Sequence, residues 1–234
     1  MQTERKNIFI DVGGGLGETL LEVTGALWKF DLIYSFEPQE TMLLQLRTRF
    51  SSEIKSGRVV VVPAGLADYT GENILYGEGH GASIYEEKQD IDSSKKQIIK
   101  LIDVAEFFRD NISNDDIVIM KLNCEGSEGI ILESLAESAQ IEKLTNIMID
   151  FDLRKIRGMK QEPKNVIRML KKIDFKRYFL VKEVMLGKTH ELRIRNWLAQ
   201  VPELEEFCND PLIARNSIKK AKFHRRIRMF FRHY

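Results

Sequence analysis

Between residues 11 and 18 the chain reads Asp-Val-Gly-Gly-Gly-Leu-Gly-Glu, with four glycines in five positions and an acid at either end. Backbone that bare lets a ligand come close to the main chain, and a helix following it would aim its N-terminus at that ligand. A dinucleotide fingerprint needs glycines at the first, third and sixth places; counted from Gly13 the sixth is Glu18, and counted from Gly15 it is Leu20. Asp11 and Glu18 would repel a pyrophosphate, so the loop of Gly13, Gly14 and Gly15 is read as facing a cationic or zwitterionic ligand. Glu37 closes the next apolar run, within the range where an acidic side chain takes a ribose hydroxyl pair. The segment "KLNCEGSE" adds Lys121, Asn123, Glu125 and Glu128, an amine, an amide and two carboxylates. A hydroxyl acceptor must lose a proton to a nearby histidine or carboxylate, and His80 in "GEGHGAS" and Glu125 are the candidates. Lys121 could hold an oxyanion or pair with Glu37 or Glu125. Asn123 could position a ligand through its amide. Asp150 and Asp152 in "DFD" could bind a sugar hydroxyl; a divalent ion would want a third ligand, and none stands nearby.

The elements that must position these residues alternate. "IFIDV", "LIYSFE" and "RVVVVPAGL" read as strands separated by helical patterns at "ETLLEVTGALWKF" and "ETMLLQLRTRF". A glycine-rich polar insert, "LYGEGHGASIYEEKQDIDSSKK", follows. Then come a strand at "QIIKLI", a helix at "DVAEFFRD", strands at "DIVIMKLN" and "TNIMIDFD", and a helix at "PKNVIRMLKKI". "KRYFLVKE" and "HELRIRNWL" read as a terminal antiparallel strand pair. The alternation predicts an α/β fold with a mostly parallel sheet, right-handed crossovers and helices on both faces. Open sheets of this kind place their sites at the carboxyl edge, where Glu37, Asn123, Asp150 and Asp152 all fall.

The glycine loop has the form of the first motif of the Rossmann-like methyltransferases that use S-adenosylmethionine. Taken with "SFEP" at 35–38, "VVVVPAGLADYTGENILY" at 59–76, "GASIY" at 81–85 and "IMKLNCEGSEGIILESL" at 119–135, the chain resembles the FkbM-type methyltransferases over roughly residues 7–152. The resemblance implies a class I methyltransferase fold and methyl transfer from S-adenosylmethionine, commonly to a hydroxyl of a sugar, glycan or natural product. It implies cofactor contacts at Asp11, Gly13, Gly14, Gly15, Glu37, Ala64 and Asn123, with the methionine end at Asp11 to Gly15, the ribose at Glu37 and the adenine near Ala64. It places catalysis at His80, Asn123 and Glu125, and acceptor contacts at Ser83, Lys121, Glu128 and Asp150. The family commonly has an aspartate where this chain has Asn123, which puts in doubt any mechanism that makes position 123 a base. Transfer to RNA, protein or an amine, or a non-catalytic cofactor-binding scaffold, stay open as alternatives. "NCEG" stands where an Asp/Asn-Pro-Pro-aromatic motif would favour transfer to the amino groups of bases.

With 36 basic and 35 acidic residues the net charge is +1, which argues against a nucleic-acid footprint over the whole surface. At 234 residues the chain suits one core, expected over 1–200, with a basic extension at 201–234. From Arg215 onward eight Lys or Arg and no acid accompany Phe223, Ile227, Phe230, Phe231 and Tyr234 at helical spacing. Such a segment could lie on an anionic membrane surface or cap the domain. Cys124 and Cys208 have neither pairing nor metal spacing, no apolar run is long enough for a membrane span, and "MQTERKN" has no signal-peptide core. A reduced, cytoplasmic setting is expected, with the inner face of a membrane as a candidate contact.

Overall fold

The computed structural model describes residues 5–213 together with 216 and 219. Its main sheet is built from β1 (Asn7–Val12), β2 (Leu32–Phe36), β3 (Val59–Val62), β7 (Ile117–Leu122), β8 (Asn146–Ile149) and β9 (Tyr178–Leu180). These strands lie in the order β3-β2-β1-β7-β8-β9, and every pairing is parallel. A smaller sheet, ordered β4-β6-β5, joins β4 (Gly65–Ala67), β5 (Gly71–Tyr76) and β6 (Lys96–Asp103). Among the described residues the helices up to residue 200 are α1 (Glu18–Val23), α2 (Glu40–Arg49), α3 (Ser51–Lys55), α4 (Val104–Asn111), α5 (Glu128–Glu137), α6 (Glu162–Lys172), α7 (Val181–Val184) and α8 (His190–Leu198). The architecture is a Rossmann-like α/β fold.

Both faces of the sheet are covered, which is why β1 and β7 are buried at every position rather than at alternate ones. Ile8, Ile10 and Val12 of β1 point into one core with α4, α5 and α6, while Phe9 points into the other with α1 and α8. Each face thus receives every second side chain of the strand. On the second face, Arg195 of α8 grips Glu22 of α1 through Nε at 2.8 Å and Nη2 at 2.7 Å, and Trp28 Nε1 donates to the same carboxylate. Val201, Leu204 and Cys208 pack in this core too, so residues 201–208 continue the packed domain.

The expected terminal antiparallel pair does not form. Only Tyr178–Leu180 of "KRYFLVKE" is a strand, and it runs parallel to β8; "HELRIRNWL" is helix α8. Thr189 caps that helix by accepting from the Leu192 amide, and Ile194, Trp197 and Leu198, three and four residues apart, form its buried stripe. "RVVVVPAGL" breaks at Pro63, which has no amide hydrogen, into strands of two different sheets. The helix expected over "ETLLEVTGALWKF" ends at Val23, two residues before Gly25. Among the described residues no helix is long and apolar enough to cross a membrane. The basic amphipathic segment expected from Arg215 lies, apart from two single positions, outside the described residues.

Candidate active site

In the main sheet the strand order reverses between β1 and β7, and there the loop after β1 faces the turn after β7 across a crevice. The loop is held by its own protein. The Gly13 and Gly14 amides both donate to the Phe36 carbonyl, at 3.1 and 2.9 Å; the Gly15 amide donates to Glu37 Oε2 at 2.8 Å, and the Gly17 amide to the Gly14 carbonyl at 2.9 Å. These four amides are therefore committed inside the protein, and the loop offers none of them as a phosphate cradle. A Cβ at Gly13 would fall 1.8 Å from the Asn123 carbonyl oxygen, and one at Gly14 would fall 2.4 Å from Ser35 Oγ. At Gly13 φ is +84°, so the need for glycine there is both steric and conformational.

Asp11 lies beneath the loop. It is fully buried, and Lys121, its register partner on β7, donates to Asp11 Oδ1 at 2.8 Å and to the Gly13 carbonyl at 3.0 Å. Lys121 therefore pairs with Asp11, and not with Glu37 or Glu125, the two acids that the sequence offers it. Glu37, at the tip of β2, takes the Gly15 amide on one oxygen and the Gln39 amide, at 2.9 Å, on the other. Burial pushes its carboxyl up from the usual range against these two hydrogen bonds. Each oxygen keeps lone-pair capacity for a further donor.

Residues 123–127 form the opposite wall. Glu125 has φ +61°, a left-handed backbone that strains a residue with a side chain. Three contacts hold it: Ser83 Oγ donates to its carbonyl at 2.7 Å, Lys88 Nζ donates to its carboxylate, and Glu128 Oε1 accepts the flanking amides of Cys124 and Gly126. Lys88 is 5% exposed and also donates to the Gly81 carbonyl at 2.6 Å, which ties the glycine-rich insert to this turn. Burial, and a side-chain hydrogen bond shared with Asp152, raise the carboxyl of Glu125. Asp152 is held low, against its own burial, by that bond and by Lys155 at 2.7 Å. The hydrogen bond between the two acids thus acts in opposite senses, raising the carboxyl of Glu125 and lowering that of Asp152. Glu128 is fully buried, and burial pushes its carboxyl up to about 7.

Between these walls lies a cleft with about 750 Å³ of empty space, a figure that includes the open solvent at its mouth. It is lined by Gly13, Gly15, Glu37, His80, Asn123 and Glu125 from the expected set. Leu66, Leu75, Ile99 and Leu101 of the small sheet supply an apolar wall. Asp11, Gly14, Ala64, Ser83, Lys121 and Glu128 of that set do not line the cleft, and Asp150 lines a different groove. His80 sits at the mouth with its side chain 62% exposed, 3.7 Å from Glu18. Four buried oxygens around the cleft have no partner: Asp11 Oδ2, Ser35 Oγ, Asn123 Oδ1 and Glu128 Oε2.

Two residues here are not legible in the sequence. Lys88 gives no signal, since its tie to Glu125 spans 37 positions. His190, at the start of α8, accepts from or donates to Thr19 Oγ1 at 3.1 Å; burial and then the charge of Lys121 lower its pKa. The strand-like pattern of its segment conceals it.

No protein-family model matches the chain, and no curated protein matches it. Among solved structures, methyltransferase FkbM from Methylobacillus flagellatus KT is 18% identical with a TM-score of 0.43, over 71% of this chain and 37% of its own. SMU.1697c of Streptococcus mutans, assigned as a methyltransferase and solved in complex with SAH, is 14% identical with a TM-score of 0.34, over 73% of this chain and 74% of its own. The chain spans about 37% of the length of the first of these.

Proposed function

We propose that the chain is an S-adenosylmethionine-dependent methyltransferase acting on a hydroxyl, of a sugar, glycan or similar small molecule. The observation that carries the reading is Glu37. A buried carboxylate at the end of β2, facing the glycine loop at the strand-order reversal, is placed to accept from two vicinal hydroxyls of a ribose. The adenine would lie against Leu66, Leu75, Ile99 and Leu101, one and more residues beyond the Ala64 named from the sequence. Asn123 Oδ1, buried and without a partner, is the natural acceptor for the cofactor's amino group. The fully committed loop amides fit this cofactor and not a pyrophosphate.

When bound, S-adenosylmethionine supplies a methyl group activated by a sulfonium. The protein's own part is to hold the acceptor in line, keep water out and take a proton. Glu125 lines the cleft, and its raised pKa makes it a stronger base than an ordinary carboxylate once ionised. Lys88 steadies that ionised form. His80, exposed at the mouth, closes over the acceptor as a second proton carrier. Asn123 has no charge to act as a base and serves as a positioning group.

Calorimetry with S-adenosylhomocysteine, followed by transfer of labelled methyl to a panel of glycans and small hydroxyl compounds, tests the proposal. Saturable cofactor binding with label appearing on a hydroxyl supports it. Cofactor binding with label on nitrogen or on none of the panel would replace the acceptor assignment.

A further inference from the structure

A second groove opens at the carboxyl ends of β8 and β9, with about 1090 Å³ of empty space including its mouth. Its rim carries Arg154, Lys164, Arg168, Lys171 and Lys182, five cations against the single carboxylate of Asp150. Lys164, Arg168 and Lys171 stand at i, i+4 and i+7 on α6 and so share one face of that helix. Among the described residues none of the five makes an ion pair; the one hydrogen bond their side chains form is from Arg168 to Asn165 Oδ1 at 3.1 Å. The floor is apolar, made by half-buried Phe151, Ile167, Leu180 and Val181.

Concentrated like charge around an apolar floor is costly unless an anion neutralises it, and a concave wall focuses that field inward. We infer that this groove binds an organic phosphate, with the phosphate on the α6 cations and an apolar body on the floor. The inference deepens the methyl-transfer reading and rests on it for one step, that the phosphate belongs to the acceptor. The route between the sites is short in sequence: Asp150 borders the groove, and Asp152 shares its hydrogen bond with Glu125 of the cleft. An acceptor anchored by its phosphate at α6 would extend its hydroxyl past residues 150–152 toward Glu125. A concavity with an apolar floor fits a single organic anion better than a flat membrane surface, which would need the cations spread over a convex face.

The test uses the intact chain and 4-nitrophenyl phosphate, with 4-nitrophenol and inorganic phosphate as controls, at fixed ionic strength. The nitrophenyl phosphate should bind saturably and more tightly than either control. Replacing Arg168 and Lys171 together by Gln should weaken it by roughly tenfold or more, as loss of two charge-assisted contacts implies. The same double variant should bind S-adenosylhomocysteine as the native chain does. Equal binding of nitrophenyl phosphate and nitrophenol, or an unaffected double variant, would overturn the inference. So would binding to vesicles containing anionic lipid that the double variant loses while nitrophenyl phosphate goes unbound, since that would make the face a membrane contact. If S-adenosylhomocysteine fails to bind the native chain while nitrophenyl phosphate binds, the methyl-transfer reading falls and the phosphate site stands.

Discussion

Replacing Glu128 by Gln should change how the stability of this protein depends on pH. Glu128 is fully buried beneath the 123–127 turn, where Oε1 accepts the Cys124 and Gly126 amides and Oε2 has no partner. Its carboxyl is pushed from 4.5 to about 7, with burial the largest cause. Between those values the folded chain binds more protons than the unfolded one, so stability falls as pH rises through the window and the penalty is complete above it. Raising a carboxyl's pKa by one costs its ionised form about 1.4 kcal/mol, which places the penalty on the order of 3 kcal/mol. Gln keeps the acceptor for the two amides but cannot ionise. Urea unfolding of both proteins at pH 5 and pH 8, at fixed ionic strength, isolates the effect because every other titrating group is common to both. The variant should gain on the order of 2–3 kcal/mol relative to the native chain on going from pH 5 to pH 8. A stability difference that is the same at both pH values would refute the reasoning, since Glu128 would then ionise as readily folded as unfolded.

Lys88→Met should destabilise the chain by about 3 kcal/mol in urea unfolding, because it leaves the Glu125 carboxylate and the Gly81 carbonyl facing a buried methyl group. Faster amide exchange should accompany this at Tyr76 and Ser83, which bond each other at the neck of the insert; unchanged exchange would mean that Lys88 does not secure it. Gly13→Ala should prevent stable folding, whereas Gly15→Ala should cost only about 1–3 kcal/mol in the same assay. The difference arises because a Cβ at Gly13 meets the Asn123 carbonyl oxygen at 1.8 Å, and one at Gly15 comes no nearer than 3.3 Å to any atom, the exposed ring of His80. Equal losses would show that φ, and not the neighbouring carbonyl, decides the need for glycine at position 13.

The parts of the site written in local sequence were legible. The glycine loop, Glu37 at a strand end and the Asn123-to-Glu128 turn each follow a strong apolar run, and a parallel sheet brings those run ends to one edge. What stayed hidden was set by distant partners. Asp11 looked like a ligand-facing acid, yet the β1–β7 register seats it against Lys121 and makes the pair a support for the loop. Lys88 and Asp152 become meaningful only once the insert folds back on Glu125. The segment at 190–198 carries a strand-like alternation at Leu192, Ile194 and Leu198. The Thr189 cap and the burial of Trp197 against Phe9 decide for a helix. β5, which runs into the polar insert from residue 71, is an edge strand half open to solvent, and its apolar signal is correspondingly weak.

The central claim, that Glu37 receives a ribose diol in the cleft, is tested most directly by calorimetry of the native chain and Glu37→Gln with S-adenosylhomocysteine and with its 2′-deoxy analogue. Glu37 also holds the Gly15 and Gln39 amides, so a purely structural loss would weaken both ligands alike. The account predicts saturable binding of S-adenosylhomocysteine to the native chain, roughly tenfold weaker binding of the deoxy analogue, and a variant that discriminates little between the two. Absence of binding to the native chain, or a variant that still prefers the ribose ligand as strongly as the native chain does, would contradict it.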